Sequence, residues 1–192
     1  MPAPVDDKTR CFGSNNPVYA EYHDTEWGVP VHEDQKLFEM LILEGAQAGL
    51  NWETVLMKRD GYRAVFKGFD VARVARMTDA ELEAARENPA IIRNKLKIYA
   101  TRKNAWVFLD IQEEFGSFAD YLWAYVDGEP IINTWNDVSE VPVTTEISDA
   151  LSKDLKNRGM TFVGSTIIYA YMQASGLVDD HLASCWKRSG TA

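Results

Sequence analysis

The stretch Asp34–Leu56, DQKLFEMLILEGAQAGLNWETVL, decides how the chain is read. Leu37, Met40, Leu41, Glu44 and Ala48 fall at the spacing of one helical face. That face is apolar except for Glu44. The run Met40–Leu43 is apolar all round, so the helix is expected to be buried. A lone carboxylate on a buried helix is costly unless something pairs with it. Gly49, Leu50 and Trp52 follow within a few residues, bringing a tight turn and a large aromatic next to the acid. Two readings fit: the floor of a pocket, or an acid at the core's edge that reaches solvent or caps a neighbouring backbone.

Outward from this stretch, the pattern predicts helices throughout. A second helix is expected over Trp52–Phe66, a short one over Val71–Met77, and another opened by a Thr78–Glu81 capping box. A long helix is expected over Ile91–Leu109 and another over Phe118–Val126, with an irregular stretch from Glu129 to Val143. Helices over Ser148–Asn157 and Ser165–Ser175 flank a turn at Arg158–Gly164. A short helix carrying His181 and Cys185 is expected to close the chain. No period-two alternation is sustained, so the predicted fold class is all-α.

With 192 residues the expectation is one domain over 11–186, with 1–10 as a disordered tail and 187–192 as a second tail. No apolar run reaches spanning length, and MPAPVDDKTR lacks the apolar region of a signal peptide, so a cytoplasmic protein with no membrane partner is expected. A net charge of −9 argues against a protein that coats nucleic acid indiscriminately. The sign reverses locally: Arg93, Lys95, Lys97, Arg102 and Lys103 lie in a segment with no acid between Glu87 and Asp110. A solvated helix face is the default reading and a phosphate-contacting face the sharper one.

Two further clusters carry chemistry. Cys11 and His23 near one end, with His181 and Cys185 near the other, make a complete tetrahedral zinc set of the structural kind. On a helix His181 and Cys185 would share a face. The Cys11–His23 spacing is not that of a common finger, and spacing by itself favours four ordinary residues; a disulfide between the two cysteines is not expected in a reducing compartment. The Arg158–Gly164 turn places Gly159 and Gly164 around a short apolar loop, with Lys153, Lys156 and Arg158 flanking it. Such a turn is either a simple αα-corner or a site offering backbone N–H groups and the helix N-terminus at Ser165 to a phosphate.

Tyr19–Pro30 (YAEYHDTEWGVP), Leu43–Trp52 (LEGAQAGLNW), Ile91–Lys95, Arg158–Gly164, Met172–Ala174 and Asp180–His181 together resemble the DNA-3-methyladenine glycosylase I family of the helix–hairpin–helix glycosylases. The resemblance runs from Cys11 to Cys185. It implies two helical lobes with a cleft between them, and a monofunctional enzyme that flips 3-methyladenine out of alkylated double-stranded DNA and hydrolyses its N-glycosidic bond. The alternative is a non-catalytic hairpin module that only binds DNA. The resemblance implies Glu44 as the acid facing the purine and Tyr19, Tyr22, Trp27 and Trp52 as aromatic walls. It also implies Leu50 as the wedge left in the base stack, Gly159, Gly164 and Ser165 as DNA contacts, and one structural Zn2+ on Cys11, His23, His181 and Cys185. A monomer is expected. The segment after Cys11 departs from the family form, with Phe12 where a tryptophan is looked for, so no aromatic from it is assigned to the pocket.

Overall fold

In the computed structural model, which describes residues 6–188, every residue from Leu37 to Ala46 is buried. They belong to helix α2, Asp34–Gln47, which Glu33 caps by accepting from Gln35 N and Lys36 N. Before it comes α1, Pro17–Thr25, started by Asn16, whose side chain accepts from Val18 N and Tyr19 N, with Pro17 in the first turn. After it come α3 (Trp52–Leu56), α4 (Arg59–Val65), α5 (Val71–Ala75), α6 (Asp79–Glu87), α7 (Lys95–Phe115) and α8 (Phe118–Trp123). The last two are α9 (Glu146–Asn157) and α10 (Ser165–Ala174).

Helix α7 lies against α2, α5, α6 and α8, while α10 packs on α2 and α9. Around α2 the packing is aromatic: Phe108 of α7 stacks on Phe118 with centroids 3.9 Å apart and meets Phe38 of α2 edge-on at 5.2 Å. The all-α class holds, with one addition. Strands β1 (Ile131–Ile132) and β2 (Val178–Asp179) pair in parallel, Ile131 with Val178 and Ile132 with Asp179, and Trp135 bridges to Leu182.

Several boundaries differ from the sequence expectation, each for a local reason. The helix expected over Trp52–Phe66 breaks near Met57–Lys58 into α3 and α4. The long helix begins at Lys95 because Asn94 caps it, its side chain accepting from Lys97 N, and runs on to Phe115. The capping box predicted at Thr78 is present, and a second forms between Thr145 and Ser148. The closing helix expected around His181 and Cys185 is absent: that segment is β2, a bridge and turns, because its backbone is tied to residues 131–135. Residues 1–5 and 189–192 of the expected tails lie outside the described residues. Residues 6–10 are anchored, with the Arg10 guanidinium paired to Asp6 and Asp24 at 2.7 Å each. Arg188 Nη2 donates to Thr134 Oγ1 at 2.7 Å.

Asp34 ties three helices together. Its Oδ2 accepts from Gln112 Nε2 at 2.6 Å and from Phe118 N at 2.9 Å, and its Oδ1 accepts from Ala119 N at 2.9 Å. The carboxylate thus satisfies N–H groups at the start of α8 that have no partner within the helix. Asp34→Ala is expected to lower stability by about 2–3 kcal/mol, since it leaves those donors without an acceptor. Asp34→Asn, which keeps one acceptor, is expected to cost roughly half as much, and urea unfolding midpoints of the two variants check the order.

Candidate active site and metal corner

Glu44 opens the last turn of α2 and is 4% exposed. Its Oε2 is buried with no hydrogen-bond partner, and so is Nε1 of Trp52, the first residue of α3. Both residues line a cavity of about 410 Å³. Its walls come from α1 (Tyr19, Tyr22), the loop that follows it (Trp27), α10 (Thr166, Tyr169, Gln173) and the Val138–Val143 loop. Tyr22 and Trp52 stand 5.4 Å apart, centroid to centroid. The expected set of Glu44, Tyr19, Tyr22, Trp27 and Trp52 therefore converges on one space. Two polar atoms that pair with nothing among the described residues both belong to residues of that space, which is what a site built for a polar ring requires.

Phe12, which no pocket role was assigned in sequence, is part of the wall. It packs against Tyr19 at 4.8 Å and edge-on to Trp27 at 5.0 Å. Gln47, Gln173 and the Val138–Val143 loop were also missed, while Asp180, which with Asp179 the sequence offers as an acid able to assist water if it reached the sugar, does line the cavity. Gln47 lies three residues after Glu44, one turn along the same face, and was the one legible signal among them.

Asp180 lines the cavity but is fully engaged. Its Oδ1 accepts from Asn133 Nδ2 at 2.8 Å and Trp135 Nε1 at 2.7 Å, and its Oδ2 from Tyr169 OH at 2.6 Å and Gln173 Nε2 at 2.8 Å. Four donors leave it little capacity to take a proton from water. Asp179 accepts instead from the backbone and ring of His181.

Glu44 contrasts with Asp180. Burial pushes its carboxyl from the ordinary 4.5 up to about 8, and no ion pair offsets this. Near neutral pH the group is thus mainly protonated. Burial first, and then the proximity of Glu44, holds the Tyr22 phenol well above its ordinary range.

The metal corner lies beside the cavity. Ligand atoms of Cys11, His23 and Cys185 fall within 4.8 Å of one another. His181 is outside that group, its ring edge-on to His23 with centroids 5.3 Å apart. It does not share a helical face with Cys185, since no helix forms there. Its Nε2 is nevertheless buried with no partner, while Nδ1 is held by Asp179 Oδ1 at 2.7 Å. His23 is held the same way, Nδ1 against Asp24 Oδ1 at 2.9 Å, leaving Nε2 toward the thiols. A carboxylate on the far nitrogen of each imidazole is the arrangement that orients metal-binding histidines. Both cysteines are free thiols. A hydrogen bond from Cys11, with help from His23, lowers the Cys185 thiol to about 4, and the pairing raises Cys11. The donor set fits a zinc ion. Gly28 is fixed by this corner: it adopts φ +75°, and a Cβ there would lie 2.6 Å from His181 Cε1. Trp27 joins the corner to the cavity, edge-on to His181 at 4.6 Å.

The hairpin closes the description. Gly159 adopts φ +107°, and Gly164 caps α10 with no side-chain acceptor for that helix's first N–H groups. Ser165 Oγ is 2.8 Å from Ser148 Oγ. Leu50 is 44% exposed on the turn between α2 and α3, outside the cavity lining. Two of the basic groups near the expected phosphate contacts are engaged within the protein. Arg158 pairs with Glu114 and Asp154, and Arg102 with Asp79 and Met77 O.

A bundle of helices, a glycine-flanked hairpin, and an aromatic cavity with a buried acid define the helix–hairpin–helix class of DNA glycosylase. Within that class the chain belongs to the methyladenine glycosylase family, whose model matches residues 12–188. It is 47% identical over 178 residues to the DNA-3-methyladenine glycosylase of Haemophilus influenzae, covering 92% of this chain and 96% of that protein. It is 48% identical over 177 residues to DNA-3-methyladenine glycosylase 1 of Escherichia coli, covering 92% and 95%. A crystal structure of 3-methyladenine DNA glycosylase I superposes with a TM-score of 0.91 at 48% identity, over 94% of this chain and all of that one. A Staphylococcus aureus structure describing 3-methyladenine recognition superposes at 0.89 with 36% identity, over 91% and 93%.

The position of Glu44 predicts a pH dependence of stability. Folding raises this group's pKa, so its contribution is present in full below about pH 4.5 and is lost as pH rises through about 8. Wild type is expected to lose stability relative to Glu44→Gln between pH 5 and pH 8, with a slope approaching 1.4 kcal/mol per pH unit, roughly the full linkage of one proton. Above pH 8 the difference should level off. Urea unfolding of both proteins across this range measures it.

Proposed function

We propose that this chain is a monomeric DNA repair enzyme that hydrolyses the N-glycosidic bond of 3-methyladenine in alkylated duplex DNA. The observation that carries the reading is the unpaired Glu44 carboxyl in an aromatic cavity, in a chain of the methyladenine glycosylase family. Relatives in that family were solved as a tyrosine-to-phenylalanine variant with 3-methyladenine bound and as a glutamate-to-glutamine variant. The two altered residues carry numbers 22 apart, the separation of Tyr22 and Glu44.

The chemistry follows from charge. The target base stands inside a duplex and must leave the stack to be reached. As its nucleoside, 3-methyladenine is cationic, so the faces of Tyr22, Trp52, Tyr19 and Trp27 attract it. A cation beside Glu44 favours the ionised carboxylate, which then pairs with the base and accepts from its amino group. Trp52 Nε1–H can donate to a ring nitrogen. Neutral adenine gives the same carboxyl no charge to pair with, and the cost of ionising it in the cavity opposes binding. On cleavage the C1′–N9 electron pair goes to the base and cancels its charge, while a water oxygen bonds to C1′ and loses a proton. The leaving group needs no acid, so Glu44 serves recognition and charge balance. No lysine lines the cavity among the described residues, which supports hydrolysis without a Schiff base and so without strand cleavage.

We propose further that Cys11, His23, His181 and Cys185 hold one structural zinc ion. Four protein ligands leave no open position, so the ion's contribution is a cross-link between the two ends of the chain. That cross-link would steady Phe12 and Trp27, the two rings joining the corner to the cavity. The free thiols fit a reducing, cytoplasmic setting. Elemental analysis of protein prepared without chelator is expected to give about one zinc per chain, falling below half that in Cys11→Ser. Metal-free protein with full stability would overturn this assignment.

The excision reading is tested by incubating the protein with methylated duplex DNA and identifying the bases released. Free 3-methyladenine is the expected product, with no strand break. Glu44→Gln is expected to keep the fold and lower kcat/KM by about a hundredfold, roughly 2.7 kcal/mol. Wild-type turnover in that variant would remove Glu44 from its assigned role.

A further inference from the structure

One face of α7 spends its polar side chains on two loops outside the helix. Lys97 Nζ donates to Ala46 O at 2.8 Å and to Ala48 O at 2.7 Å. These are the terminal carbonyls of α2, where a helix leaves peptide oxygens unpaired and carries partial negative charge. Helix α2 has no basic residue in its own last turn, so the compensating charge comes from α7. Seven residues further along the same face stands Asn104, 3% exposed. Its amide grips the hairpin in both directions: Nδ2 donates to Thr161 O at 2.9 Å, and Oδ1 accepts from Thr161 N at 3.0 Å. The next hairpin residue, Phe162, adopts φ +59° and lies against α2, close enough that a Cβ on Gly45 would be 3.3 Å from its own.

The turn after α2 has little else to hold it. Gly49 adopts φ +76°, a Cβ there would meet nothing within 4 Å, and Leu50 is 44% exposed. Its internal bond, Leu50 N to Gln47 O, closes the turn without fixing where it points. On one side the turn leads back to Glu44, and on the other Asn51 caps α3 and delivers Trp52 to the cavity.

We propose that Lys97 and Asn104 are positioning residues that fix the separation between the Ala48–Leu50 turn and the Thr161–Phe162 hairpin. Insertion into the stack at the turn and backbone grip at the hairpin then act on one duplex at a set distance. This rests on the base-excision reading. Unstacking a base costs free energy, and a wedge that can recede from the grip cannot deliver that energy to the lesion. The residues act at duplex opening, and the cavity itself does not depend on them.

The test separates these steps. A methylated oligonucleotide is assayed alone and annealed to its complement, scoring released 3-methyladenine, and binding of the free base is measured in parallel. Lys97→Met keeps the aliphatic stem and removes the donors. It is expected to lower kcat/KM on the duplex by about a hundredfold, the scale of an ångström-sized misplacement, with single-strand activity within about threefold of wild type and free-base affinity unchanged. Asn104→Leu should show the same split, and Lys97→Arg, which keeps charge and donors, should fall between Lys97→Met and wild type. The slope of log affinity against log salt is expected to stay the same. Equal losses on duplex and single strand in Lys97→Met and Asn104→Leu would overturn the proposal in favour of general structural damage. A salt slope smaller by about one, with kcat intact, would overturn it by making Lys97 a phosphate contact. Wild-type protein that releases no 3-methyladenine from either substrate would instead overturn the base-excision reading on which the proposal stands.

Discussion

A carboxyl group without a partner, buried on a helix that is apolar all round, is the constraint on which the rest of the molecule depends. Helix α2 cannot turn Glu44 to solvent, because its neighbours on every side are buried. Among the described residues no cation is placed beside it, so burial holds the group largely neutral at physiological pH. The same cavity contains a second acid, Asp180, treated in the opposite way, with four donors on its two oxygens. One acid is spent inside the protein and the other is kept for whatever enters. A difference in environment between two carboxylic acids is how a single pocket assigns them separate roles.

The surroundings of Glu44 were legible only in part. The helix itself, its turn and the capping box at Thr78 follow from local periodicity and residue type, and they stand where the pattern put them. Trp52 stands near Glu44 in the sequence itself, whereas Tyr22 and Trp27 could be gathered around it only through the family resemblance, since they come from an earlier part of the chain. Phe12 was noted but given no pocket role, and Gln173 and the Val138–Val143 loop escaped notice because nothing local marks them as lining. The loop follows β1, whose pairing of Ile131 with Val178 joins residues far apart in the chain. The same nonlocal pairing explains the misread closing helix. His181 and Cys185 have the spacing of helical neighbours, but two residues of strand and a bridge to Trp135 decide their backbone. Charge was legible as a sign reversal along α7, while its use was not. Lys97 and Arg102 answer carbonyls and an acid elsewhere in the fold.

The metal corner and the cavity form one construction. Phe12 follows Cys11 directly and sits edge-on to His23, Trp27 sits edge-on to His181, and both rings wall the cavity. Each histidine is held by a carboxylate next to it or two residues away, so the imidazole orientations are set before any ion binds. Phe12 and Trp27 come from loop segments, which lack the repeating hydrogen bonds that position Tyr22 and Trp52 on helices, and their contacts with His23 and His181 are what hold them at the cavity.

Positioning by a distant rigid element recurs at the turn after α2 and the hairpin before α10. The turn after α2 and the hairpin before α10 are about 110 residues apart in sequence, too far for the connecting backbone to set their spacing. A straight helix can do so. Lys97 and Asn104 are seven residues apart, about 10.5 Å along the axis of α7. Each bonds main-chain atoms, so the loops are held by their backbones and their side chains stay available. Lys97 also neutralises the end of the helix that carries Glu44. The same two bonds hold the turn that follows that helix end, so one lysine serves the helix terminus and the loop together.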